Sequence, residues 1–69
     1  MTLTIHTAGV GVSLEVAGGV HPFTVEWGDG QVDAKRSRIF GHNYSGPGVR
    51  HIVVRDGAGA RTGSNVEVL

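Results

Sequence analysis

The residues best suited to chemistry in this 69-residue chain are its four histidines, His6, His21, His42 and His51. Histidine metal sites usually pair two rings at a short fixed spacing with a carboxylate nearby, and no His-x₃-His pair occurs here. The chain has no cysteine, which excludes thiolate metal sites and disulfides. We therefore predict no metal and no cofactor, with His6 facing solvent and His42 in a structural role near Tyr44.

Three aspartates give a second candidate for chemistry. Asp29, Asp33 and Asp56 could gather at one end of a small β-fold and hold Ca²⁺ among carboxylate and carbonyl oxygens. Each also lies close to glycines or other turn residues, where an aspartate commonly bonds backbone N–H groups of its own turn. We favour the turn-forming role and keep the Ca²⁺ site as the alternative.

The serines are the remaining candidate nucleophiles, and there are four of them to consider: Ser13, Ser37, Ser45 and Ser64. None lies in a Gly-x-Ser-x-Gly elbow, and the sequence contains no phosphate-binding glycine loop. A domain of this size also has little room for a cleft holding paired carboxylates. We predict that the chain is not an enzyme.

The overall charge narrows the partners. Six basic and six acidic residues give a formal net charge of zero, which argues against nucleic acid and anionic membranes, since both attract an excess of basic residues. No apolar run is long enough to cross a membrane, and the N-terminus alternates like a strand instead of resembling a signal peptide. We expect one domain, residues 1–69, from a small protein complete in itself that stays inside the cell.

The elements that position these residues are predicted to be strands. Twelve glycines and frequent β-branched residues indicate an all-β chain with tight turns. We predict strands around Leu3 and Ile5, over residues 10–16, 21–27, 39–44 and 49–55, and from about Arg61 onwards. The charged residues 31–38 form a short edge strand or a loop, and residues 49–55 a central strand buried on both sides. About seven short strands predict a Greek-key β-sandwich, with a small closed barrel as the alternative.

One stretch organises the rest of the chain. Phe23, Val25 and Trp27 alternate with polar residues, as in a strand with one buried face. Gly28-Asp29-Gly30 then ends the strand, because aspartate favours turns and glycine tolerates the positive φ that such turns need. The core is therefore expected to form around Trp27, the only tryptophan.

Several motifs follow in order along the chain. They are Trp27-Gly28-Asp29-Gly30, His42-Asn43-Tyr44, Gly46-Pro47-Gly48, Ile52-Val53-Val54-Arg55-Asp56 and Val66-Glu67-Val68. This series resembles the polycystic-kidney-disease (PKD) domain family of immunoglobulin-like β-sandwiches. The chain departs from the family pattern at Val25, where tryptophan is usual, and is a residue or two short between Gly48 and Asp56.

The resemblance implies roles for individual residues. Tyr44 resembles the residue of a tyrosine corner, whose ring lies in the core while its hydroxyl bonds to backbone. Asp29 would accept hydrogen bonds within its own turn, and Gly30 would adopt a positive φ. Asp56 would end the valine-rich strand.

The resemblance also implies a function, because the family supplies rigid binding and spacer modules. A small domain of this kind is similar to virion components of tailed bacteriophages, so we expect a capsid decoration protein that docks on a protein lattice, located in the virion or the host cytoplasm. The N-terminal strand, Met1 to Thr7, could add to a sheet of the partner. The basic residues Lys35, Arg36 and Arg38 are the candidate partner contacts, although we favour a solvated edge as the explanation of this segment.

A second interpretation keeps the same fold. The chain would then be a PKD module of a secreted hydrolase or cell-surface adhesin that binds polysaccharide or protein, and it would be extracellular. A planar stripe of exposed aromatic side chains would distinguish this function, and the chain has only four aromatic residues, Phe23, Trp27, Phe40 and Tyr44.

Overall fold

The computed structural model describes all residues, 1–69, and contains seven β-strands. The strands are β1 (Thr2–Ala8), β2 (Gly11–Ala17), β3 (Phe23–Glu26), β4 (Val32–Lys35), β5 (Ile39–Asn43), β6 (Gly48–Arg55) and β7 (Arg61–Val68). They form two antiparallel sheets in the orders β1-β2-β5 and β4-β3-β6-β7. The predicted β-sandwich is confirmed, with two separate sheets where the alternative was a closed barrel. No helix of the chain is long and apolar enough to cross a membrane.

The alternation in β2 shows why the sequence folds in this way. Val12, Leu14 and Val16 are buried between exposed neighbours, so one face of the strand contacts the core. The prediction that Val10 belongs to this alternation is wrong. Gly9 has φ +60°, and the turn that it makes leaves Val10 37% exposed, before the strand begins at Gly11.

The core lies between the two sheets and contains eleven buried residues, all of them hydrophobic. They are Val12, Leu14, Val16, Phe23, Val25, Trp27, Phe40, Tyr44, Ile52, Val54 and Val68. Trp27 is the largest of the fully buried side chains, with 0% of its surface exposed. The prediction that the core forms around this indole is confirmed.

Two further strands, β6 and β3, differ from the sequence prediction in their burial or bounds. β6 is central, between β3 and β7, but the prediction that it is buried on both sides is wrong: Ile52 and Val54 face the core, whereas Val49 is 66% exposed. A two-layer sandwich covers only one face of each sheet. The third strand is shorter than predicted and begins at Phe23. Of the two interpretations of residues 31–38, the short edge strand is correct, because β4 pairs only with β3.

Candidate functional site

The turn after Trp27 is held by backbone and side-chain hydrogen bonds. The N–H of Trp27 donates to the carbonyl of Gln31 at 3.1 Å, and the N–H of Gln31 donates to Oδ1 of Asp29 at 3.0 Å. Gly28 and Gly30 have φ values of +83° and +92°, a region that favours glycine. A Cβ on Gly28 would lie 2.6 Å from the carbonyl oxygen of His51, whereas Gly30 faces open space. The turn is therefore packed closely against β6.

His42 joins this turn to the core. Its ring stacks on Trp27 at a centroid distance of 4.8 Å and meets the Tyr44 ring edge-on at 4.7 Å. Its Nε2 lies 2.8 Å from Oδ2 of Asp29. This hydrogen bond lowers the pKa of Asp29. Burial raises the same pKa by a smaller amount, so the pKa lies below its ordinary value. On the other side, Nε1–H of Trp27 donates to Oδ2 of Asp33 at 2.8 Å.

We call these five residues, Trp27, Asp29, Asp33, His42 and Tyr44, the indole cluster. The sequence motifs contained four of them but gave no sign that Asp33 bonds the indole. That contact depends on the β3–β4 register, which places Asp33 opposite Val25 with its side chain on the inner face. A strand pairing predicted through the Gly28–Gly30 turn could have revealed it.

Tyr44 has the geometry that the resemblance implied. Its ring is buried, and its hydroxyl donates to the carbonyl oxygen of Trp27 at 2.6 Å. Burial raises the pKa of the Tyr44 phenol. The guanidinium of Arg50 lies over the ring at 5.2 Å and donates to the carbonyl of Gly46. The Tyr44 hydrogen bond thus connects the residue after β5, in one sheet, to the residue after β3, in the other.

Asp56 organises a second turn, far from the indole cluster in the chain. Its Oδ1 accepts hydrogen bonds from the N–H groups of Ala58 and Ala60, and its Oδ2 accepts one from Val20. Desolvation raises the pKa of this carboxyl, but the backbone hydrogen bonds outweigh it, so the pKa is lowered. All of the hydrogen bonds that its carboxylate accepts come from backbone N–H groups, as the turn-forming role predicts.

The alternative Ca²⁺ site is not formed. Asp29 bonds His42, Asp33 bonds Trp27, and Asp56 bonds the backbone of Val20. No three histidine or carboxylate side chains are grouped so that they could hold a metal ion.

The basic segment has internal partners. The Arg38 guanidinium donates to the carbonyl of Gly18 at 2.6 Å and lies 5.1 Å from the Phe23 ring. The Lys35 ammonium lies 4.8 Å above the Phe40 ring. Arg36 is exposed and makes neither a hydrogen bond nor an ion pair. Arg38, one of the three predicted partner contacts, therefore holds the segment before β5 against the turn that follows β2. Arg36 is the one of the three whose side chain is exposed and has no partner within the chain.

The surface has two shallow depressions. The larger one has a volume of about 570 Å³, and its lining includes His6, Ser13, Asp33 and Asn43. The serine hydroxyls that form hydrogen bonds do so with backbone atoms of Ile39 and Asn65 and not with a histidine. All four aromatic side chains are at most 3% exposed. These groups can bind through hydrogen bonds, but no activated nucleophile is assembled.

The side of the sandwich formed by β1 and β7 carries the hydrophobic residues that the core covers only in part. β1 is an edge of the first sheet and β7 an edge of the second, and the two strands contact each other. The hydrophobic residues that pack against the core while only partly buried all lie here: Met1, Leu3, Ile5 and Val66. We call the edges of β1 and β7, with these residues, the open side.

Comparison with known proteins supports the fold. The chain is similar to the crystal structure of the PKD1 domain of Vibrio anguillarum Epp, with a TM-score of 0.75 and 20% sequence identity, over 97% of this chain and 88% of that one. No family model and no curated protein matches the sequence. At this identity the similarity shows the fold, and the chain therefore has the PKD-like immunoglobulin fold that its motifs indicated.

Proposed function

We propose that this chain is a non-enzymatic structural module that docks on a repeating protein lattice, the capsid or tail of a tailed bacteriophage. The observation that carries the proposal is the open side. The ionisable side chains that could act on a ligand, such as Asp29, His42 and Asp56, already form hydrogen bonds within the fold. The free backbone of an edge strand is what the molecule offers to a partner.

The free edge of β1 suits the addition of a strand. The N–H of Val16 donates to the carbonyl of Arg38, and the N–H of Tyr44 donates to the carbonyl of Val10. The backbone groups of the even positions of β2 therefore point towards β5. Successive residues direct their N–H and C=O groups to opposite sides, so in the β1–β2 register the even positions of β1 face β2. The odd positions, Leu3, Ile5 and Thr7, therefore direct their backbone groups outwards. An extended partner segment could bond them.

A lattice partner also suits the size of the chain. With 69 residues and no cysteine, the expected free energy of unfolding is about 3–10 kcal/mol. A partner that binds only the folded chain stabilises it by mass action, and a lattice presents many such sites at high local concentration. Arg36 is proposed as a supporting contact to an acidic surface.

The second candidate function, a PKD module of a secreted hydrolase or adhesin, has less support for polysaccharide than for protein. Flat sugar rings commonly stack on exposed aromatic side chains, and here all four aromatic residues belong to the core. The open side, in contrast, fits a protein segment in either setting.

The proposal is tested by co-sedimentation of the labelled chain with a panel of purified tailed-phage capsids, and with insoluble cellulose and chitin as carbohydrate probes. We expect saturable binding to capsids. Thr7→Pro removes an outward N–H of β1, a change that edge strands tolerate, and should weaken binding about tenfold, whereas the matched control Thr7→Ala keeps the N–H and should bind like the wild type. Binding to polysaccharide together with no binding to any capsid would reverse the proposal.

A further inference from the structure

The backbone of β7 has a defined free side. A hydrogen bond from Asp56 N–H to the carbonyl of Ala60 closes the β6–β7 hairpin, and in the register that follows the even positions of β7 bond to β6. Because successive residues of an antiparallel strand direct their backbone groups to opposite sides, the odd positions direct theirs away from the sheet. Those residues are Arg61, Gly63, Asn65 and Glu67.

β7 is also a long edge strand with little protection against pairing. It is the longest of the four edge strands, with eight residues against seven in β1, four in β4 and five in β5. It contains neither lysine nor proline, which natural proteins commonly place on edge strands to prevent association. An unprotected edge of this length is a template for another strand.

Two charges on β7 have no partner within the chain. The ion pairs present are His42–Asp29 and Arg55–Glu26, so neither Arg61 nor Glu67 is paired. Arg61 lies directly opposite Arg55 in the β6–β7 register, and like charges at such positions destabilise a sheet. Arg61 thus lacks an anion, while Glu67, at the other end of the strand, lacks a cation.

We propose that β7 pairs with the β7 of a second copy of this chain, antiparallel, around a two-fold axis at Ser64. Arg61 and Glu67 lie at equal distances from Ser64, so each arginine would face the glutamate of the other copy. Gly63 would face Asn65 in the same way. The second sheets of the two copies, β4-β3-β6-β7 in each, would join into one continuous sheet.

This register satisfies three conditions together. It pairs odd positions with odd positions, so the free backbone groups meet and the outer faces stay on the same side. It also places each Arg61 directly opposite the Glu67 of the other copy, which gives two pairs of opposite charges. A shift of two residues would instead put Arg61 opposite Asn65 or Leu69. The proposed register also brings Val66, half-buried on the open side, next to Thr62 of the other copy. An unrelated peptide would not need the symmetric placement of the charges.

The first test is sedimentation equilibrium of the wild type and charge variants up to about 1 mM, a range that reaches weak and transient interfaces. We expect reversible dimers. Arg61→Glu and Glu67→Arg each create two like-charge pairs and should raise the dissociation constant by about tenfold or more, and the double swap should restore it. Arg36→Glu, the same charge change at the other edge of the sheet, is the control and should not alter it.

The second test locates the interface by amide hydrogen exchange at low and high protein concentration. In the dimer, the amides of Arg61, Gly63, Asn65 and Glu67 should gain protection, while those of Thr62 and Ser64, already bonded to β6, should change little. A chain that stays monomeric, or a dimer in which the swap fails to restore affinity and these amides gain no protection, would overturn the inference. The proposal does not depend on the lattice, so a failed capsid assay leaves it standing.

Discussion

At the scale of single residues, Trp27 decides whether the fold forms. Its side chain is fully buried, stacks on His42 and donates to Asp33. Trp27→Ala should cost about 3–5 kcal/mol, which is comparable with the whole free energy of unfolding expected for a domain of this length, about 3–10 kcal/mol. We expect the variant to be unfolded, or to melt without cooperativity, when followed by far-UV circular dichroism.

The control for this prediction is Val49→Ala. Val49 lies on β6 but is 66% exposed, so its truncation should change the free energy of unfolding by less than about 0.5 kcal/mol. A cooperative melt of the Trp27→Ala variant near the wild-type temperature would contradict the central role of the indole.

What the sequence predicted at this scale follows from local spacing. Trp27, Gly30 and Tyr44 were identified because strand periodicity, turn chemistry and a motif resemblance each act over a few neighbouring positions. The bonds of Asp33 to Trp27 and of His42 to Asp29 were not predicted. They join residues from different strands, and their formation depends on registers that a single sequence does not specify.

At the scale of elements, the turn after β3 separates two effects of glycine. Gly30→Ala should cost about 1–2 kcal/mol, because the residue has φ +92° with open space around it. Gly28→Ala should cost more, since its φ is +83° and the new Cβ would lie 2.6 Å from the carbonyl oxygen of His51 in β6. Urea denaturation of both variants measures the difference.

Gly46→Ala is the matched control for this pair. Gly46 has neither a positive φ nor an atom within 4 Å of its added Cβ, so little change in the urea midpoint is expected. Equal losses for Gly28→Ala and Gly30→Ala would show that β6 does not press against the turn.

The aspartates of the two turns make the free energy of unfolding depend on pH. Asp29 and Asp56 have pKa values lowered below the ordinary 3.8 by hydrogen bonds. A carboxyl with a lowered native pKa stabilises the fold above its unfolded pKa and loses that contribution as the pH falls through the native value. The free energy of unfolding should therefore decline from about pH 5 downwards.

Asp56→Asn tests the source of this decline. The amide keeps an acceptor oxygen but does not titrate, so urea midpoints measured between about pH 7 and pH 3 should fall less steeply than in the wild type. Asp29→Asn should act in the same direction, and the double variant more strongly. An unchanged slope in the double variant would refute the role of these carboxyls.

The strands show where element prediction works and where it fails. The alternation in β2 was correct from Val12 onwards because one face of the strand meets the core. The prediction for β6 failed because a run of β-branched residues is typical both of a strand covered on two faces and of a central strand in a two-layer sandwich. Val49 is exposed because no third layer covers the outer face of this sheet.

At the scale of the whole molecule, the two proposed associations use the same side. β1 and β7 contact each other across the sandwich, so a second copy bound at β7 would bring its own β1 close to the free edge of β1 where a lattice segment is proposed to add. Two ligands that exclude each other compete, and the apparent affinity for one falls as the other becomes bound. Self-association should therefore oppose docking.

This competition gives a prediction that neither proposal makes alone. At protein concentrations above the dimer dissociation constant, Arg61→Glu should bind capsids more tightly than the wild type, because more of it is monomeric. Below that constant the two should bind equally, since Arg61 lies on β7 and not on β1. The measurement is capsid co-sedimentation across this concentration range, with Arg36→Glu reported separately because Arg36 is itself a proposed lattice contact. Equal binding of Arg61→Glu and wild type at every concentration would show that docking and pairing occupy independent surfaces.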